Sequence, residues 1–369
     1  MSRHSIGRPD RRFDDVARIA VLRGGGLGDL VGTLPALAAL RAAYPAAAIT
    51  LLGMPGHAAL LDGRPHSPAD EVAVLPPHPG VRDGETDPQA VEAFCAAMRE
   101  RRLGLAVQAH GGGRNSNPFL LRLGARHTVG TRTADAVPLE RTIPYRYYQH
   151  EVHRWLEVVG LAGALPADLE PSLTATDGER STGRALLGAG PAVVLHPSAT
   201  DPRRRWPAQR FGVVAAALAE HGVTVLVVGD ASDAPIAREI ERAAHTALPA
   251  PHRDRVRSVA GELDLRGLVG VLAEADVVLA NDSGPRHIAQ ALRTPTVGLF
   301  WFGNAVNAAP FARGSHRILL GWATRCPVCG ADVTQVGWTA ERCPHDPSFL
   351  TDIHPEAVLG EVRALLAGE

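Results

Sequence analysis

Short apolar runs recur along the chain, each closed by glycine or polar residues and followed by a stretch with helical spacing. The first, Arg18 to Leu22, runs into Gly24-Gly25-Gly26 and has the length and glycine stop of a buried parallel strand. A helix is predicted over 29–43, with Leu30, Leu34, Leu37 and Leu40 on one face. Strands are predicted at 49–52, 72–75 and 105–108, and helices at 87–102 and 151–160. The stretch 161–190 is rich in Ala, Gly, Pro and Thr, as a connecting segment would be. The alternation then restarts, with strands at 192–195, 223–228, 276–280 and 296–299. The helices of this half are predicted at 207–220, 233–244, 264–274, 284–292 and 355–367.

Strands separated by helices imply βαβ units and a parallel sheet covered on both faces. The expectation is an α/β chain of two facing, doubly wound, Rossmann-like domains. They would span 16–165 and 191–352, joined by a linker over 166–190 and followed by a C-terminal helix in 353–369. Such domains bind ligands in the crevice at the carboxyl ends of their strands, an arrangement suited to joining two substrates.

Composition narrows the chemistry. The 369 residues suffice for two cores, and 38 basic residues against 39 acidic ones leave no general polyanion-binding field, so no nucleic-acid partner is expected. Every basic residue is Arg. With no lysine there is no Schiff-base chemistry and no Walker A phosphate site. Four cysteines do not make a disulfide scaffold, no apolar run is long enough to span a membrane, and the N-terminus is polar. The chain is expected to be cytoplasmic, with a membrane surface as a conceivable workplace.

Three segments can carry chemistry. The first is Arg23-Gly24-Gly25-Gly26-Leu27-Gly28-Asp29, a glycine loop between a strand and a helix. It is not a dinucleotide fingerprint. Gly24 and Gly26 match the first two glycines, but the third position is Asp29, and the second strand ends in Leu52-Gly53-Met54 with no acid for a ribose. Asp29 has two readings, a helix-capping acid or a general base at the carboxyl edge of the sheet.

The second segment runs from His196-Pro197-Ser198 to Arg203-Arg204-Arg205-Trp206-Pro207. Its three arginines read either as an anion site or as a solvated loop. The third is Asn281-Asp282-Ser283-Gly284-Pro285-Arg286-His287, which follows a strand and opens a helix. Asp282 or Ser283 would cap that helix, the N–H groups of 283–286 would cradle an anion, and Arg286 and His287 could donate to a diphosphate.

These segments, in this order, resemble the heptosyltransferase-type glycosyltransferases of family 9. The resemblance also takes in Thr33-Leu34-Pro35-Ala36-Leu37 and covers most of the chain, from about 18 to 367. It implies a GT-B fold and an inverting, metal-independent transfer of a sugar from a nucleotide diphosphate, typically ADP-heptose, with no cofactor. By position Asp29 matches the catalytic base, and Arg204 falls where the family carries a lysine. Ser198, Asp282, Ser283, Gly284 and His287 match the donor-diphosphate site, and Leu263 lies in a stretch that resembles the one beside the adenine. Gly28 and the loop residues Arg114 and Asn115 would face the acceptor. Two positions depart from the family pattern. Arg204 changes the reach and geometry of the charge, and Pro285 removes one N–H from the cradle.

The resemblance implies as partners a nucleotide-sugar donor and a glycan or glycolipid acceptor, the latter at the inner membrane surface, and the chain is read as a monomer. Rival readings are a GT-B sugar-nucleotide epimerase, or a nucleotide-sugar-binding protein without catalysis. In the tail, Cys326-Pro-Val-Cys329 and Cys343-Pro-His345 have the flavour of a zinc site, yet the second pair is separated by one residue rather than the usual two or more. No metal is assigned; structural thiols, zinc and a disulfide are the three readings there.

Overall fold

The computed structural model describes residues 10–166, 168–334 and 340–369. They divide into two compact units, Met1–Ser172 and Leu173–Glu369.

The first unit is built on a six-stranded sheet. Its strands are β1 (Arg18–Leu22), β2 (Ala48–Gly53), β3 (Glu71–Val74), β4 (Leu105–Gln108), β5 (His127–Arg132) and β6 (Arg141–Pro144). They stand in the order β3-β2-β1-β4-β5-β6 and pair in parallel throughout. The second unit has β7 (Ala192–His196), β8 (Thr224–Val227), β9 (Val256–Ser258), β10 (Val277–Asn281), β11 (Thr296–Trp301) and β12 (His316–Gly321). Their order is β12-β11-β10-β7-β8-β9, again all parallel. Numbered from its own first strand, each sheet therefore has the same order, and each is a doubly wound Rossmann-like sheet.

Burial explains the apolar runs. Residues Ile19–Leu22, Val193–Leu195 and Val277–Ala280 are at most 1% exposed, because helices cover both faces of each sheet. One core cluster joins Ala20, Leu22 and Ala106 to Cys95, Met98 and Phe119, and another joins Val193, Leu195 and Leu279 to Trp206, Phe211 and Ile240. Among the described residues no helix is long and apolar enough to cross a membrane.

Two expectations change. The helix expected over 29–43 is two helices, Leu27–Val31 and Leu34–Ala43. Pro35 has no N–H, and its ring would clash with the carbonyl of Val31 in a continuous helix. The break falls at Gly32-Thr33, where the Thr33 hydroxyl donates to the Asp29 carbonyl at 2.9 Å.

The second change lies in the stretch read as a linker, which contains the helix Asp177–Leu187. Thr176 caps it, with Glu179 reaching back to the Thr176 N–H. It packs on the helix Leu265–Glu274 through Gly183 and Gly270. A Cβ on Gly270 would run into the Glu179 carbonyl, so the two backbones touch. Small residues that serve a close helix crossing resemble a linker's composition.

Candidate functional site

In each sheet the chain order reverses between two neighbouring strands, at β1 and β4 in the first unit and at β7 and β10 in the second. Such a switch point opens a crevice beyond the carboxyl ends of the strands. The predicted residues gather at these two places.

In the first unit the loop after β1 holds Arg23, 3% exposed. Its Nη1 donates to the Ala109 carbonyl beyond β4 at 2.9 Å, its Nε to the Asp29 carbonyl at 3.1 Å, and its Nη2 to the Asp29 carboxylate at 2.7 Å. Nη2 also lies 3.2 Å from Glu151, which accepts from the Trp155 indole at 2.8 Å and pairs with the buried Arg154. The Arg23 guanidinium lies over the Trp155 ring, 4.9 Å from its centre. A buried cation is held here by backbone carbonyls, two carboxylates and an aromatic face.

Asp29 uses one carboxylate oxygen for Arg23 and the other to accept from the Gly26 N–H at 2.8 Å. The cap reading of Asp29 is thus correct in geometry. Its side chain is nevertheless 48% exposed, so the fixed carboxylate can meet a ligand. Gly25 has φ +87°, and a Cβ there would lie 2.5 Å from Oδ2 of Asp29; only glycine lets the loop wrap the carboxylate.

Gly28 lies in the first turn of Leu27–Val31. Arg114 and Asn115 are exposed in the loop after β4, where Arg114 is 3.5 Å from Asp135 and Asn115 precedes the helix Ser116–Leu121. That loop is braced from below by buried Gln108, which donates to the Ser116 hydroxyl at 2.7 Å and accepts from the Thr131 N–H at 3.0 Å.

In the second unit the strongest motif closes on itself. Asp282 is buried at the end of β10, with one oxygen 3.1 Å from Nε2 of His287 and the other 3.3 Å from Nη1 of Arg204. Burial pushes its carboxyl upward, but the His287 hydrogen bond and the charges of His287, Arg204 and Arg286 outweigh this and hold it below the usual carboxylate range. Ser283 is the N-cap of the helix Gly284–Ala291; its side chain makes no capping bond and instead meets Nδ1 of His196 at 2.9 Å. Gly284 and Pro285 begin the first turn, and Pro285 contributes no N–H.

Buried Asn281 joins the two loops of this crevice. It donates to the Pro197 carbonyl at 2.6 Å and accepts from the Trp206 N–H at 3.1 Å. Ser198, next to Pro197 in the chain, is buried, and Leu263 is half-buried before the cap Asp264 of Leu265–Glu274, in the loop after β9.

The three arginines separate. Arg203 forms a close pair with Asp201, and Arg205 donates to the Ala199 carbonyl at 2.8 Å. Arg204 alone of the three reaches Asp282, and its side chain is a quarter exposed. Arg286 differs from the expectation of a diphosphate donor. It is fully buried, lies over Phe300 at 4.9 Å and donates to Gln290 at 3.1 Å, so it braces the helix from behind. The tail residues Cys326, Cys329, Cys343 and His345 come together despite the short spacing of the last two, with their ligand atoms within 4.8 Å of one another.

Protonation is disfavoured at His196, His57 and His110. Burial lowers His196 to about 4, against the pull of Asp233 and Asp230. Burial likewise lowers His57, whose Nε2 lies 3.3 Å from the Gly26 carbonyl, to about 4, and it lowers His110. Arg23, Glu151 and Asn281 carry no role in the sequence reading. The signal for Arg23 is a charged residue directly after an apolar strand, whereas nothing local marks Glu151 as its partner.

Each of the two doubly wound α/β units thus carries a polar site at its switch point, an oriented carboxylate in the first and an Arg–Asp–His turn at a helix end in the second. Residues 112–327 match the family model described as glycosyltransferase family 9 (heptosyltransferase), and the chain belongs to that family. It is 35% identical over 117 residues to lipooligosaccharide heptosyltransferase 2 of Haemophilus influenzae, covering 31% of this chain and 33% of the relative. It is 30% identical over 200 residues to lipopolysaccharide heptosyltransferase 2 of Salmonella typhimurium, covering 54% and 52%. The matches thus span about a third and about half of these relatives' own lengths. The structure of ADP-heptose lipopolysaccharide heptosyltransferase II from Escherichia coli superposes with a TM-score of 0.74 at 23% identity, covering 95% of this chain and 99% of that one.

Proposed function

We propose that the chain is an inverting glycosyltransferase that moves a heptose from ADP-heptose to a hydroxyl of a lipopolysaccharide-type core glycolipid, without a metal in the reaction. The observation that carries this reading is the Arg204–Asp282–His287 arrangement at the switch point of the second sheet, beside the first turn of Gly284–Ala291.

In this reading the second unit holds the donor. Asp282 anchors Arg204 and His287, and the described residues take one of the five guanidinium donors of Arg204. The remaining donors and the helix end would meet the diphosphate oxygens, where negative charge grows as the anomeric C–O bond breaks. Ser198 and Gly284 would line the diphosphate, and Leu263 would lie against the adenine.

The first unit would hold the acceptor through Gly28, Arg114 and Asn115. Asp29 would take the proton of the attacking hydroxyl as its oxygen bonds to the anomeric carbon from the face opposite the leaving ADP, which inverts that centre. Arg23 keeps the carboxylate aimed. The heptose, the ADP and the lipopolysaccharide of this proposal come from the names of these relatives. The reaction would run on the cytoplasmic side of the membrane that carries the acceptor.

The test is nucleotide selectivity followed by turnover. A ligand at 100 times its Kd adds about 2.7 kcal/mol, which for a domain of this size raises Tm by roughly 5–10 °C. ADP is expected to give that shift while UDP and GDP at the same concentration do not, and ADP-heptose with a heptose-deficient core acceptor is expected to give product. A UDP or GDP preference would overturn the donor. Release of an altered nucleotide sugar without acceptor would replace transfer by epimerisation.

A further inference from the structure

We propose that Cys326, Cys329, Cys343 and His345 bind a zinc ion that clamps the tail loop beneath the arginine turn. The four ligand atoms lie within 4.8 Å of one another. Tetrahedral zinc, with Zn–S near 2.3 Å, separates its sulfurs by about 3.8 Å, so a contraction of about 1 Å closes the set.

The backbone is shaped for this. Cys326-Pro327-Val328-Cys329-Gly330 is a tight turn in which the Gly330 N–H donates to the Cys326 carbonyl at 2.8 Å, and Gly330 sits at φ +74°. The Cys326 N–H pairs with the Ala331 carbonyl at 2.8 Å, which closes the same turn from its other side.

A second observation comes from the imidazole. Nδ1 of His345 is buried and has no hydrogen-bond partner among the described residues. A buried ring nitrogen without a partner is costly, and a metal ligand bond or a bond made on metal closure satisfies it. Three thiols and one imidazole form a closed four-ligand set, which suits a structural zinc with no open position for chemistry. The four cysteines of the chain are unpaired with one another, so no disulfide competes in this structure.

Among the described residues, the apolar cluster beside the site is Cys326, Val333 and Phe349, with Trp301, Ala323 and Cys343 packed against them. Phe349 and Ser348 then dock on the arginine turn. The Phe349 N–H donates to the Arg203 carbonyl at 2.7 Å, the Ser348 hydroxyl to the Arg205 carbonyl at 2.6 Å, and the Phe349 ring lies 5.3 Å below the Arg203 guanidinium. An ion joining 326–329 to 343–345 fixes the strand of chain that leads directly into these contacts.

Metal analysis of the full chain, purified under reducing conditions, tests this. About one zinc per chain is expected, with none in Cys326→Ser or Cys343→Ser. Because those variants could misfold, two further measurements stand beside them. Cobalt(II) added to metal-free protein should give tetrahedral d–d bands with thiolate-to-metal charge transfer, and His345→Cys should keep the metal while intensifying the charge-transfer band. Failure of metal-free, fully reduced protein to take up zinc or cobalt would overturn the proposal. So would stoichiometric iron in place of zinc, or spectra unchanged by His345→Cys.

Discussion

The guanidinium of Arg23 donates to the carboxylate of Asp29 at 2.7 Å from a position that is 3% exposed, while Asp29 itself is about half open to solvent. A buried cation thus holds an accessible anion by its back. The Gly26 N–H fixes the other oxygen, so the carboxylate is immobilised before any substrate arrives. Preorganisation of this kind is what a general base requires, and it also meets the needs of a helix cap.

The two roles separate on substitution. Asp29→Asn keeps the shape but only one acceptor oxygen, so either Arg23 or the Gly26 N–H loses its partner, and stability should fall by about 1–3 kcal/mol. As a base it loses its function, and kcat should fall roughly 10²–10⁴-fold with ADP affinity unchanged. Steady-state turnover alongside ADP titration measures both, and full turnover in the variant would leave Asp29 a cap alone.

Arg204→Ala should weaken ADP binding and lower kcat together, because the same donors meet the diphosphate before and during bond cleavage. A charge-assisted hydrogen bond contributes about 1.5–3 kcal/mol, so the loss in kcat/KM should be at least roughly tenfold. Arg204→Lys, which restores the family's residue, should recover much of this. Equal kinetics in all three proteins would remove Arg204 from the donor site.

Acid should destabilise both units. His57 in the first and His196 in the second are held near 4 against an ordinary value of 6.5, so the unfolded chain binds protons that the folded chain refuses. Stability is fully present above about pH 6.5 and is lost as pH falls toward 4, by up to about 3 kcal/mol for each buried ring. Thermal unfolding between pH 7.5 and 4.5 reads the slope, and His196→Asn should flatten it. A slope that His196→Asn leaves intact would assign the loss to other groups.

Gly270→Ala tests the helix pair hidden in the presumed linker. Its methyl would meet the Glu179 carbonyl, with backbone and no flexible side chain to yield. Overpacking of this sort costs about 1–3 kcal/mol or more, so urea unfolding should show a clear loss in midpoint. Gly178→Ala, on the partner helix Asp177–Leu187 but with open space around it, should be neutral or slightly stabilising.

The parts legible in the sequence were those with local causes. Short apolar runs gave β1, β4, β7 and β10, the strands whose following turns hold Asp29, Arg114, Arg204 and Asp282. Strands β5, β6, β9 and β12 were not read. His127–Arg132 and Arg141–Pro144 begin with charge and sit toward one edge of their sheet, where burial is incomplete and the apolar signal fades. Asp29, Arg204, Asp282 and His287 were singled out because chemistry-bearing residues stood after strand ends. Glu151 was not, since its tie to Arg23 crosses 128 positions and exists only after β1 and its covering helix have packed. Arg286 was misread for the converse reason: its place in the motif suggested a ligand, and only packing against Phe300 shows that it faces inward.

Asn281 carries a consequence for how donor preference can change. With one amide it grips Pro197 at the start of the loop after β7 and Trp206 at the end of that loop, while its own backbone leads into Asp282. The three segments are therefore riveted into a single jaw, and none can shift without dragging the others. A lineage that exchanges one nucleotide for another has little freedom to remodel that jaw. The variation should fall instead in the loop after β9, around Leu263, which the rivet does not hold.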